Sequence, residues 1–292
     1  MSQERATALG FVAVLLWGML ALLTVWSAPV PPFQLNAVCF TIGGALGLIW
    51  LAASGGLYQL RAVLLHVYGL GSLGLFGYHA LYFGALRLAP AAQASLIAYL
   101  WPLLIVLLSG LLPGEKLRKG HVIGAAIGFL GAVIVLSDGT VGFDAASLSG
   151  YVLAGACALT WSSYSVVSRR IGSVPTASVA VFCLVSAALS LPLHIILETT
   201  IWPSHPIGWA SMTLLGVGPV GLAFYLWDVG VKRGDIQLLG TTSYAAPLVS
   251  TIVLVICGVT QPTWSLVGAT ILITAGALVA ARASLRAPCS TR

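Results

Sequence analysis

The sequence predicts an all-α membrane protein: ten transmembrane helices as two inverted five-helix repeats, with both termini cytoplasmic. Three observations carry this expectation. The chain of 292 residues is 59% hydrophobic and 7% charged, whereas soluble domains carry about 25% charged residues. Its apolar runs fall into ten segments parted by turn signals. The two halves also share a motif. Ala98-Tyr99-Leu100-Trp101-Pro102-Leu103-Leu104 in the first matches Ser243-Tyr244-Ala245-Ala246-Pro247-Leu248-Val249 in the second, with tyrosine three residues before proline in both. An odd number of spans per half makes the second half cross in the opposite sense. Inverted repeats with helices broken near the midplane mark secondary transporters, so the pattern points to movement of a solute.

A spanning helix needs about 20 apolar residues. Runs of that size lie at 6–26, 33–53, 62–84, 91–111, 121–137, 149–169, 176–197, 207–231, 237–257 and 263–282. Turn residues separate them: Pro29, Pro31 and Pro32; Ser54-Gly55-Gly56; Pro90; Pro113-Gly114; Asp138-Gly139; Pro175; Pro203 and Pro206; Gly234-Asp235; and Pro262. The first run, Ala6 to Trp26, is long for a signal peptide and has a counterpart in the second half, so it reads as a helix. The repeats are placed at 1–140 and 141–292. Tyr82 with Tyr225, Gly131 with Gly276 and Trp17 with Trp161 recur at nearly the same offset as the two prolines. Loops this short leave no room for a soluble domain.

Charge placement supports the topology. With the N-terminus inside, the inner loops and tails hold Arg5, Arg61, Lys116, Arg118, Lys119, Arg169, Arg170, Lys232, Arg233, Arg282, Arg286 and Arg292. Of the 13 Lys and Arg, Arg87 alone falls outside. The net charge of +6 is therefore a topology signal and not a nucleic-acid surface. Trp26, Trp50, Trp202, Trp209 and Trp264 fall at predicted span ends, where tryptophan anchors a helix at the interface. Cys39, Cys157, Cys183, Cys257 and Cys289 form no metal or disulfide pattern. No phosphate loop or nucleophile–base constellation appears, so no cofactor, metal or catalytic residue is expected. Gly69, Gly71 and Gly74 spell GxGxxG without the strand and acidic residue that dinucleotide binding needs. They read as packing glycines, as do Gly43, Gly47, Gly120, Gly124 and Gly128. Such faces serve a scaffold or a dimer alike; a monomer is the working expectation.

One stretch is more telling. Tyr82-Phe83-Gly84-Ala85-Leu86-Arg87-Leu88-Ala89-Pro90-Ala91-Ala92-Gln93-Ala94-Ser95 runs into Trp101-Pro102, and Gly114-Glu115-Lys116 is followed by Gly120 and Gly124. Over nearly the whole chain this resembles the ten-helix EamA branch of the drug/metabolite transporter superfamily. Tyr99-Leu100-Trp101-Pro102-Leu103-Leu104 is similar to that family's exporters of aromatic and other neutral amino acids. The resemblance implies a multi-pass bacterial inner-membrane exporter of amino acids working by alternating access. A broad-specificity metabolite or drug exporter is the alternative, and an intramembrane enzyme a more distant one.

The residues suggest where a solute would sit. A mid-helix proline removes a backbone hydrogen bond, so Pro102 and Pro247 are expected to free the carbonyls of Ala98 and Ser243 toward a cavity. Tyr78, His79 and Tyr82 share a face of the third span, and intramembrane ionisable residues tend to line pathways. With Tyr99, Trp101, Trp161, Tyr164 and Tyr244 they make a candidate aromatic cavity. Trp17, Tyr225 and Asp228 are candidate gate or coupling residues. Asp228 stands at i−4 from Lys232, a salt-bridge spacing. His194 reads as structural, His66 and His121 as interfacial, and Glu115 as a partner for nearby loop cations. No basic residue is placed to pair a substrate carboxylate, which argues against sugar-phosphate or nucleotide-sugar substrates.

Overall fold

The structure, a computed structural model, describes residues 1–137 and 144–285. The proposed repeat boundary at 140/141, the Asp138-Gly139 turn, Arg286, Cys289 and Arg292 lie outside the described residues. Among the described residues the regular structure is entirely helical. Eight helical runs are long and apolar enough to cross a membrane. They are α1 (Gln3–Trp26), α2 (Pro32–Ala53), α4 (Ala91–Ser109), α5 (Lys119–Ser137), α7 (Ser178–Leu197), α8 (Pro206–Arg233), α9 (Ile236–Ile256) and α10 (Trp264–Leu285). Two more, α3 (Leu65–Leu88, 24 residues) and α6 (Leu148–Arg170, 23 residues), have the length but are less apolar. Their sequences are diluted by His66, His79, Tyr68, Tyr78, Tyr82, Tyr151, Tyr164 and a run of serines.

Helix limits follow local chemistry. Pro32 and Pro206 open α2 and α8 at the first helical position, where a missing N–H costs nothing. Asp235 caps α9 by accepting from the Leu238 amide at 2.9 Å. Gly55, Gly114 and Gly258 turn the chain with positive φ. The extended Ala89 before Pro90 ends α3.

Four runs are interrupted. α4 breaks at Tyr99-Leu100, three and two residues before Pro102, and α9 at Ser243-Tyr244, four and three residues before Pro247. α1 breaks at Met19, and α8 contains a π-helical turn at Gly218–Leu222 around Pro219. Neither of these last two was expected from the sequence; Pro219 is the signal for the π turn, and no residue signals the break at Met19. The expected free carbonyl at Ser243 is corrected by the structure. It accepts from the Ala246 amide at 3.0 Å, because the backbone tightens to an i+3 turn at the break.

The helices pack in matched pairs. α1 lies on α8 and α3 on α6, while α2 pairs with α7 and α5 with α10. Glycines permit the close approaches. A Cβ on Gly124 of α5 would stand 2.6 Å from the Gly276 carbonyl of α10, and one on Gly43 of α2 would stand 2.8 Å from Gly221 of α8. Within GxGxxG, Gly71 faces the ring of Phe182 and Gly74 that of Tyr164, so these glycines make room for aromatics. Leu65, Ile195, Ile256 and Trp264 are among the large apolar side chains left exposed on the outside, as a lipid-facing surface requires.

Candidate functional site

Four tryptophans from four helices converge. The Trp17 ring of α1 lies 6.2 Å from Trp101 of α4, 5.7 Å from Trp161 of α6 and 5.1 Å from Trp227 of α8, centroid to centroid. Trp101 and Trp161 each also meet Trp227, at 5.7 and 6.2 Å. Two of these rings are fixed by polar tethers. The Trp17 indole N–H donates to the Pro219 carbonyl at 3.1 Å, and the Trp227 indole N–H donates to Ser165 Oγ at 3.1 Å. The π turn therefore supplies an acceptor that a regular helix would keep for itself.

A second aromatic layer adjoins the first. Tyr78 of α3 lies 5.6 Å from Trp161 and stacks at 6.2 Å on Tyr82. Tyr82 Oη is 2.8 Å from Ser95 Oγ of α4. Tyr99 lies beside Tyr78 and Tyr82. His79 packs edge-on against Phe40 at 5.1 Å and Phe83 at 6.1 Å. Its Nδ1 is 2.7 Å from the Leu75 carbonyl. That contact requires a hydrogen on Nδ1, which leaves Nε2 of the neutral ring as an acceptor. Trp101, Trp161 and Trp227 are at most 4% exposed, while Tyr78, His79, Tyr82 and Tyr99 are only half-buried. The aromatic cage is thus most deeply buried at Trp101, Trp161 and Trp227, and less so at Trp17 and the tyrosines.

The expected site residues are not all gathered here. Tyr78, His79, Tyr82, Tyr99, Trp101 and Trp161 are, together with Trp17. Tyr164 packs against Trp161 at 5.3 Å on the far side of the cage. Tyr244 belongs elsewhere: it is fully buried against Phe129, Val106 and Leu248, and its hydroxyl accepts from the Leu103 amide at 3.1 Å. It thereby serves the amide loosened by the break at Pro102. Pro102 and Pro247 are buried within α4 and α9, and the Pro247 carbonyl accepts from Thr251 Oγ1 at 2.9 Å. Tyr225 ties α8 to α2 through its hydroxyl, which donates to the Gly43 carbonyl at 3.0 Å. Phe40, Phe83, Phe224 and Trp227 complete the cage and were not singled out. Phe224 and Trp227 stand three apart on one helix face, which was the available signal.

Polar groups tie the two ends of the bundle. At the basic end, Asp228 Oδ2 accepts from Lys232 Nζ at 2.9 Å and from Thr176 Oγ1 at 2.7 Å. Lys232 also donates to the Val174 carbonyl at 2.9 Å. Glu115 pairs with Arg169 rather than with its loop neighbours, because Arg169 reaches across from α6 and also takes the Val231 and Gly234 carbonyls at 3.0 and 2.8 Å. His121, expected at the interface, is 3% exposed, with Nε2 3.3 Å from Ser284 Oγ. At the opposite end the Glu198 carboxylate caps α2 by accepting from the Phe33 and Gln34 amides at 3.0 and 3.1 Å. His194 Nδ1 is 3.0 Å from Glu198, and Arg87 is 3.7 Å from it. Glu198 was overlooked in the sequence because its partners are remote backbone amides. Among the described residues, no three His, Cys, Asp or Glu side chains group as metal ligands would.

Fold and site together define a multi-pass helical membrane protein with an internal aromatic cage. The chain belongs to the EamA-like transporter family, whose model matches residues 5–137 and 148–282. The aromatic amino acid exporter YddG of Ancylobacter novellus is 53% identical over 286 residues, covering 96% of this chain and 98% of that one. Its namesake from Salmonella typhimurium is 27% identical over 264 residues, covering 86% and 87%. A solved structure, described only as the crystal structure of a protein, superimposes with a TM-score of 0.92 at 52% identity, covering 98% of this chain and all of the other.

Proposed function

We propose that this protein is a secondary transporter that exports aromatic and other neutral amino acids across the bacterial inner membrane by alternating access. The observation that carries this reading is the cage of Trp17, Trp101, Trp161 and Trp227, roofed by Tyr78, His79 and Tyr82. Aromatic walls pack an aromatic side chain, and ring faces together with His79 Nε2 receive an ammonium group. The two relatives named above as aromatic amino acid exporters support the substrate class.

In this reading α3 and α6 also cross the membrane, giving ten spans with both termini cytoplasmic. Each is about 35 Å long at 1.5 Å per residue, and Tyr78, His79, Tyr82 and Tyr164 turn inward onto the cage. The repeats, 1–140 and 141–292, are related by inversion. Support comes from the packing: exchanging the first helix of each half and the third of each half turns the α1–α8 contact into α6–α3, while α2–α7 and α5–α10 map onto themselves. The basic end is then cytoplasmic. Its ion pairs, Glu115 with Arg169 and Asp228 with Lys232, close that end.

Uptake of labelled phenylalanine into sealed vesicles containing the pure protein tests this, with threonine and a nucleotide-sugar as controls. Phenylalanine flux that exceeds the nucleotide-sugar flux, and that His79→Ala lowers about tenfold, is the expected outcome. Equal flux of all three, or none in vesicles of intact protein, would overturn it.

A further inference from the structure

An ion pair this deeply buried needs an explanation. Asp228 is 1% and Lys232 4% exposed, and such pairs gain little stability over apolar residues of the same size. One of the two carboxylate oxygens, Asp228 Oδ1, has no partner at all, which for a buried charged acceptor is costly. Both side chains line a small pocket between α3, α6, α7 and α8, shared with Val67, Gly71, Tyr164 and Ser168. It has room for roughly one water. Tyr164 is its wall toward the cage, since its other face packs on Trp161. The cavity therefore lies directly between the tryptophans and the basic end.

We propose that Asp228 and Lys232 form the inner binding site for the zwitterionic head of an α-amino acid, folded shut upon itself in this conformation. This rests on the amino-acid reading above. The chemistry is complementary on both sides. Asp228 offers a carboxylate with an unused oxygen to an ammonium group, and Lys232 offers an ammonium to a carboxylate. In the closed state Lys232 stands where the solute's ammonium would stand. Its remaining bond to the Val174 carbonyl, with the Thr176 bond to Asp228, holds the segment between α6 and α7 over the cavity. When that segment moves away, the pair separates and the zwitterion replaces each partner with its own opposite charge. Two buried charges are then never left unpaired during opening, which is the costly alternative. Lys232 is thus the cation for a substrate carboxylate, a role hidden in the sequence by its i+4 spacing from Asp228.

The test uses vesicles of known orientation and measures KM for phenylalanine from each face. Phenethylamine, which lacks the carboxylate, and 3-phenylpropanoate, which lacks the ammonium, serve as competitors. Asp228→Asn is expected to raise the inner-face KM about tenfold or more and to leave the outer-face KM within about twofold. Lys232→Met is expected to abolish the inner-face preference for phenylalanine over phenethylamine. The neutral double variant Asp228→Asn/Lys232→Gln keeps the shapes without isolating a charge, so it separates binding from folding; it should also lose inner-face affinity. Folded variants with an unchanged inner-face KM, or with equal shifts on both faces, would overturn the proposal. Absence of phenylalanine flux in the wild-type protein would instead overturn the amino-acid reading itself.

Discussion

Tyr99 and Tyr244 hold matching places in the two repeated motifs and serve different ends. Tyr99 is half-buried near Tyr82. Tyr244 is wholly buried, and its hydroxyl completes the Leu103 amide. Tyr244→Phe leaves that amide without an acceptor inside the bundle, at a cost of about 1–3 kcal/mol. A lower thermal unfolding midpoint in detergent is expected, with the cage's affinity for phenylalanine retained; an unchanged midpoint would refute the structural role. The pattern of aromatics was legible in the sequence because tyrosine and tryptophan stand out against leucine and valine. Their division of labour was not. Which tyrosine meets a backbone amide depends on contacts 141 residues apart, and spacing within one helix carries no trace of them. Glu198 escaped notice for the same reason.

At the scale of the element, helix limits were legible to within a few residues: 33–53 was expected where Pro32–Ala53 is found and 176–197 where Ser178–Leu197 is found, while 62–84 lies three to four residues ahead of Leu65–Leu88. Proline, glycine and apolar run length set those limits locally. The breaks in α4 and α9 were legible from Pro102 and Pro247. The π turn in α8 was not, although Pro219 marks it, since a proline does not say whether the helix kinks or widens. Pro102→Ala and Pro247→Ala are expected to preserve folding and lower phenylalanine flux, because they restore a regular helix beside the cage; undiminished flux would remove the breaks from the mechanism. Gly124→Leu is expected to abolish a monodisperse folded species, since its Cβ would meet the Gly276 carbonyl. Gly268→Leu is the control: nothing lies within 4 Å of its added Cβ, and its size-exclusion profile should match the wild type.

For the whole molecule, burial is uneven from end to end. At the basic end Arg169 gathers Glu115 and two carbonyls of α8 and the turn after it, and Lys232 joins α8 to the segment preceding α7. These bonds tie α6, α8 and the loop before α5 into one closed end. Arg169→Ala removes three of them and leaves Glu115 without this cation. Faster amide exchange is expected around Glu115 and over 231–234, with exchange around Glu198 at the opposite end unchanged; uniform exchange at both ends would contradict the closing role. Sequence charge bias indicated which residues gather at this end, because membrane insertion sorts Lys and Arg by side. It was silent on their partners, which tertiary packing alone decides.

Calorimetric titration of phenylalanine into the purified protein tests most directly whether the solute sits in the tryptophan cage. Trp161 is the ring to remove, since it touches Trp17, Tyr78 and Tyr164 together. Saturable binding to the wild-type protein is predicted, weakened by about tenfold or more in a folded Trp161→Ala variant. Equal affinity in both proteins would place the solute elsewhere and contradict the account.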